Sequence, residues 1–168
     1  MRVTFRRELN VKQMLDTVHI ENFIPMRREV KVVKGRRMQV MVPVIHNLIF
    51  VNCEKKRLQE FKAGVPYLQY MTNVEAGKRV PIVVPDWQMD NFINVSQSDD
   101  SNLIYFDSVD EGIAAGTQVC IHGGPFDGTT GTFVKIKGKR NKKVVISVRN
   151  IIAVAIDVLS CDNIEILK

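Results

Sequence analysis

Cys120 and His122 stand two residues apart in the string TQVCIHGG, the closest thiol and imidazole in the chain. On a strand, alternate residues share a face. A thiol beside an imidazole is the start of a nucleophilic site, in which the base raises the thiolate. Such a site also needs a group to orient the base and donors for the developing charge, and nothing near this pair supplies them. Cys53 and Cys161 are too scattered for zinc spacing, and His19 and His46 are isolated. His122-Gly123-Gly124 has the small residues of a phosphate cradle. Such cradles open a helix, whereas this one runs into Pro125 and then an extended stretch. No catalytic constellation emerges. The expectation is a protein that is not an enzyme, with no metal and no cofactor.

The remaining chemistry is ionic. Lys34, Arg36 and Arg37 gather at one predicted hairpin tip, and Lys137, Lys139, Arg140, Lys142 and Lys143 at a second turn. Each cluster reads either as a solvated loop tip or as a set of phosphate contacts, which position a nucleic acid without reading its sequence. The second cluster has no interleaved aromatics, so a base-stacking platform is not expected there. Net charge is +6 and unevenly spread. Residues 1–95 carry 16 Lys/Arg against 9 Asp/Glu, residues 96–115 carry 5 acids and no base, and residues 116–168 carry 8 bases against 4 acids. Two basic blocks flank a short acidic one. That pattern suits two basic modules joined by a linker, with a polyanion near both, and suits solubility equally.

The 168 residues are 45% hydrophobic, enough for one ordinary core or two small ones. No apolar run approaches the ~20 residues of a membrane span. The start, MRVTFRRELN, lacks the apolar stretch of a signal peptide. Three scattered cysteines read as reduced thiols, so the expected location is cytoplasmic.

The elements that position these groups follow from periodicity. Residues 1–5 read as a strand. Val11, Met14, Leu15 and Val18 line one face of a helix over Arg7–Val18. Glu29–Val32 and Met38–Val42 alternate around Lys34-Gly35, a hairpin with a basic tip. Asn47–Cys53 is apolar on both faces, Leu48 and Phe50 on one and Ile49 and Val51 on the other, so it needs cover on both. Glu54–Lys62 predicts a helix with Leu58 and Phe61 inward, and Tyr67–Met71 a strand. Residues 80–85 are an extended, proline-bounded lead into a helix over Asp86–Asn94, with Met89, Phe92 and Ile93 as its apolar face. In the acidic stretch that follows, Leu103–Phe106 is apolar and suits a short docking strand. Beyond it, GTQVCIHGGPFDGTTGTFVKIKG is strand, turn, strand with glycines at the bends, then come strands at Val144–Val148 and Ile152–Val158. The predicted class is α+β, with module 1–95, linker 96–115 and module 116–168.

The glycine-bend stretch resembles a KOW motif, carried by Gly124, Pro125, Phe126, Gly128 and Gly131 in GGPFDGTTG. The strings RVTFRRELNVKQMLD, IENFIPMRREVKV, VPVIHNLIFVNC, FKAGVPYLQYM and VVPDWQMDNFI are similar to the N-terminal (NGN) domain of NusG. With the KOW motif behind, the resemblance covers nearly the whole chain. It is closest to the specialised paralogues, RfaH and especially the UpxY-type antiterminators of Bacteroidetes. The resemblance implies an NGN domain, an antiparallel sheet flanked by helices, followed by a small KOW β-barrel. It implies a transcription elongation or antitermination factor that docks on the clamp helices of the largest RNA polymerase subunit. Ile45, Leu48 and Phe50 match the docking positions. It further implies that the KOW module recruits a ribosomal or termination protein and that surface-polysaccharide operons are served, while the two basic clusters read as contacts to upstream DNA or nascent RNA. The alternative is a KOW-type RNA-binding protein associated with the ribosome, which leaves the apolar patch without a role.

Overall fold

Val11 and Leu15, one turn apart and fully buried, seat helix α1 (Glu8–Thr17) on the first core. Met14 and Val18 of the same stripe stay 38% and 42% exposed, so the buried face is narrower than the spacing predicts. In the computed structural model, residues 1–33, 35–98, 103–106, 116–134, 143–149, 151–157 and 163–167 are described. They divide into two compact units, Met1–Val83 and Val84–Lys168.

In the first unit, α1 is joined by α2 (Lys55–Ala63) and by short antiparallel pairs. Strand β1 (Arg2–Val3) pairs with β6 (Leu68–Gln69), and β2 (Glu21–Phe23) with β5 (Phe50–Asn52). A bridge from Arg2 to Leu48 links the two pairs. The core is Val3, Val11, Leu15, Ile20, Ile24, Ile49, Val65 and Leu68, with Met26, Val51 and Phe61 packed against it. The predicted strand over residues 1–5 ends at Val3. Phe5 (φ 64) and Arg6 (φ 52) turn left-handed and carry the chain into α1.

The basic hairpin is longer than its alternating core suggests: β3 (Met26–Val33) against β4 (Arg36–Pro43), in register from Met26↔Pro43 to Val33↔Arg36. A second hairpin, β7 (Thr72–Glu75) and β8 (Lys78–Pro81), occupies part of the stretch that sequence describes as a plain extended lead. Ala76 (φ 48) and Gly77 (φ 76) form its two-residue turn, both left-handed as a type I′ turn demands.

The second unit begins with α3 (Asp86–Ser96) and β9 (Ile104–Phe106). Then come β10 (Thr117–His122), β11 (Thr130–Val134), β12 (Lys143–Val148), β13 (Ile152–Asp157) and β14 (Asn163–Ile166). All strands are antiparallel in one open sheet, in the order β14-β10-β11-β12-β13-β9. No pairing between β9 and β14 closes it into a barrel among the described residues. Leu103–Phe106 does dock as a strand: Tyr105 lies opposite Val154.

Helix α3 belongs by packing to this unit, although its sequence adjoins the first. Its Phe92 and Val95 are fully buried, and Phe92 meets Tyr105 edge to face at 6.5 Å. Asn91 Nδ2 donates to Thr130 Oγ1 at 2.7 Å, and Gln88 Oε1 accepts from the Arg149 backbone N–H at 3.4 Å. The sequence places a break after residue 95, whereas the compact units part between Val83 and Val84. The physical reason is the partner of the apolar face. Periodicity shows that Phe92 is buried but not against what.

Candidate functional site

The segment Val44–Phe50 is a turn held at three points. Val44 N–H donates to Pro25 O at 2.8 Å. Asn47, left-handed at φ 65, accepts from the Val3 N–H at its carbonyl and from the Arg6 N–H at its side chain, both at 2.9 Å. His46 Nδ1 meets Glu8 Oε1 at 2.9 Å. Asparagine tolerates the left-handed region because its short amide bonds locally. The turn therefore has a fixed shape although it is irregular.

Ile45 is half-buried, Leu48 is 4% exposed and Phe50 7%. Ile49 enters the core, and Val51 packs against it. The pleat of β5 turns Phe50 to the opposite face from Val51. The strand expected over Asn47–Cys53 is shorter, Phe50–Asn52, and Leu48 stands outside it as an isolated bridge partner of Arg2. Of the three patch positions, Ile45 is the one with appreciable exposure.

At the hairpin, Arg36 and Arg37 are exposed, and so is Lys31. Arg27 is paired with Glu29 at 2.6 Å. Lys34 lies outside the described residues, as do Lys137, Lys139, Arg140 and Lys142. Lys143 is described and is 3% exposed. Its ammonium meets Asp157 Oδ1 at 2.5 Å across the β12–β13 pair. That cation is engaged within the sheet instead of being offered at a loop tip. Lys143 takes the first position of β12, which the run of basic residues in sequence conceals.

The KOW-like residues form the bend between β10 and β11. Gly124, Pro125 and Phe126 make a 3₁₀ turn with Phe126 folded inward at 7% exposure. Gly128 (φ 76) donates from its N–H to Ile121 O at 2.8 Å. Gly131 is needed for a different reason: a Cβ there would lie 2.7 Å from Val145 O and 2.7 Å from Val144 Cγ1. His122 Nε2 meets Glu165 Oε2 at 2.7 Å on the surface, and no group of three metal-ligating side chains occurs among the described residues.

Two features had no sequence signal. Glu8 is 1% exposed, an unusual place for a carboxylate. Arg7 stacks on both Phe5 and Tyr67, with its guanidinium carbon 5.6 and 5.0 Å from their centroids. These contacts depend on the left-handed turn at Phe5 and Arg6, which amphipathic spacing does not encode.

No helix among the described residues is long and apolar enough to cross a membrane. No curated protein matches the sequence. A solved structure of NusG from Thermotoga maritima, described for its domain interaction, is similar at 18% identity and a TM-score of 0.40, covering 99% of this chain and 90% of that one. The family described as transcription termination factor NusG matches residues 1–93, from β1 through most of α3. With more than half of its length in that match, the chain belongs to the NusG family of transcription factors.

Proposed function

We propose that the chain is a transcription elongation and antitermination factor of the UpxY type. Ile45, Leu48 and Phe50 of the first unit dock on the clamp helices of the largest RNA polymerase subunit. The 116–168 module acts as a KOW domain and recruits a ribosomal or termination protein. The exposed cations of the β3–β4 hairpin contact nucleic acid in the complex, and surface-polysaccharide operons are the targets. The observation that carries the reading is the NusG match over residues 1–93, which contains the whole Val44–Phe50 turn.

The mechanism is binding without covalent chemistry. Apolar burial contributes about 25 cal/mol per Å², and a few anchors dominate. Ile45 is the position at which a charge tests docking with the least disturbance of the fold. Pull-down of core RNA polymerase by the Ile45→Asp chain should fall at least tenfold while its thermal melt stays near that of the unchanged chain. Undiminished capture by a folded Ile45→Asp chain would remove this turn from the interface.

A further inference from the structure

The β3–β4 hairpin is a ribbon of two eight-residue strands, about 26 Å long at the usual rise. Its root is anchored. Met26 packs against the core, Pro43 is buried and the Val44 N–H bonds to Pro25 O. Beyond the root, Val30 is 63% exposed, Val32 68%, Met38 51% and Met41 54%. An isolated two-stranded ribbon is at best marginally stable in water, and apolar side chains this exposed on it favour a role in contact over one in folding.

Residues 26–43 hold six Lys/Arg (Arg27, Arg28, Lys31, Lys34, Arg36 and Arg37) against one acid, Glu29. That is +5 in a chain whose total is +6. The fitting partner is a polyanion. Its form follows from what the ribbon lacks and what its faces carry. No Phe, Tyr or Trp lies between residues 26 and 43, so unstacked bases of a single strand find no platform. Registered pairs share a face, which puts Val30 with Gln39 and Val32 with Arg37, next to Met41. This face combines two groups able to bond base edges with apolar side chains able to meet thymine methyls. A two-stranded ribbon fits the roughly 12 Å major groove of B-form DNA, whereas the major groove of duplex RNA is too deep and narrow for side chains to read.

We infer that the β3–β4 ribbon is a duplex-DNA-binding element that enters the major groove with Val30, Val32, Arg37, Gln39 and Met41 toward the bases. Lys31 and Arg36, on the other face, reach flanking phosphates. The inference rests on the nucleic-acid reading of this hairpin and is independent of polymerase docking through Ile45.

The test is fluorescence anisotropy of the full chain, without polymerase, on a labelled DNA duplex, one of its single strands and the matching RNA duplex, across a salt series. The DNA duplex should bind at least tenfold tighter than either competitor. The triple variant K31A/R36A/R37A should bind it at least tenfold more weakly, with a log–log salt slope shallower by about 2–3. Equal or tighter binding to the single strand or to duplex RNA overturns the inference while leaving a nucleic-acid role in place. No binding to any of the three overturns both. The preference shown by the unchanged chain decides the matter even if the triple variant folds poorly.

Discussion

Glu8 Oε1 and His46 Nδ1 lie 2.9 Å apart, tying the first turn of α1 to the turn that carries Ile45 and Leu48. Glu8 is 1% exposed and its other oxygen has no hydrogen-bond partner among the described residues, so His46 is the group there that bonds this carboxyl. His46→Ala should therefore cost about 1–3 kcal/mol, the usual cost of stranding a buried polar group. Glu8→Gln should cost less, because the amide can still pair with the imidazole. Urea unfolding of the two variants checks the order. Equal, negligible losses would mean that the turn is held by Asn47 and Pro25 alone.

Gly131 and Gly128 are required in this chain's turn by different physics, and substitution separates them. Gly128→Ala meets open space and pays for a left-handed φ of 76, roughly 1 kcal/mol. Gly131→Ala drives a methyl to 2.7 Å from a backbone oxygen of β12, so the sheet must shift. Overpacking of this kind costs about 1–3 kcal/mol and more where backbone is the obstacle. Melting of the second unit should fall further for Gly131→Ala.

Lys143 and Asp157 form a nearly buried pair, with side chains 4% and 24% exposed. Asp157→Ala leaves an unpaired ammonium inside the sheet and should cost about 3–5 kcal/mol, whereas Lys143→Met leaves only the partly exposed Asp157 carboxylate unpaired and should cost less. Lys143→Met should also leave the salt dependence of nucleic-acid binding unchanged, since this cation does not reach solvent. A shallower salt slope in that variant would return Lys143 to the binding surface.

Burial beside α3 pushes the Tyr105 hydroxyl above its usual range. The ordinary phenol loses its proton near pH ~10. An acid whose folded value is raised contributes its stabilisation fully below the unfolded value and loses it as pH rises through the folded one. Docking of β9 should thus weaken in strong alkali. Comparing tyrosinate absorbance of the unchanged chain with that of Tyr105→Phe isolates this group among the three tyrosines. A Tyr105 that ionises together with the other two would show that β9 is not docked.

Much of this architecture is legible in residue spacing. Val11, Leu15 and Leu58 are buried where a helical period places them, and Leu103–Phe106 docks because it is an apolar island in acidic surroundings. The β7–β8 hairpin is hidden because Thr72–Val80 is exposed throughout, leaving no alternation to read. The allegiance of α3 is hidden because an apolar stripe marks burial without naming its partner. The apolar character of Ile45, Leu48 and Phe50 is legible by residue type, but not their degree of cover. Leu48 and Phe50 are 4% and 7% exposed, and that depends on packing brought from elsewhere in the chain. The Glu8–His46 pair, 38 residues apart, has no periodic signature at all.

Docking on RNA polymerase is tested by titrating the chain against a reconstituted elongation complex with the clamp helices intact or deleted. Saturable binding to the intact complex, lost on deletion of the clamp helices and weakened by Ile45→Asp, is the result expected. Binding that survives the deletion, or tight binding to free RNA with none to the complex, would contradict docking at the clamp helices.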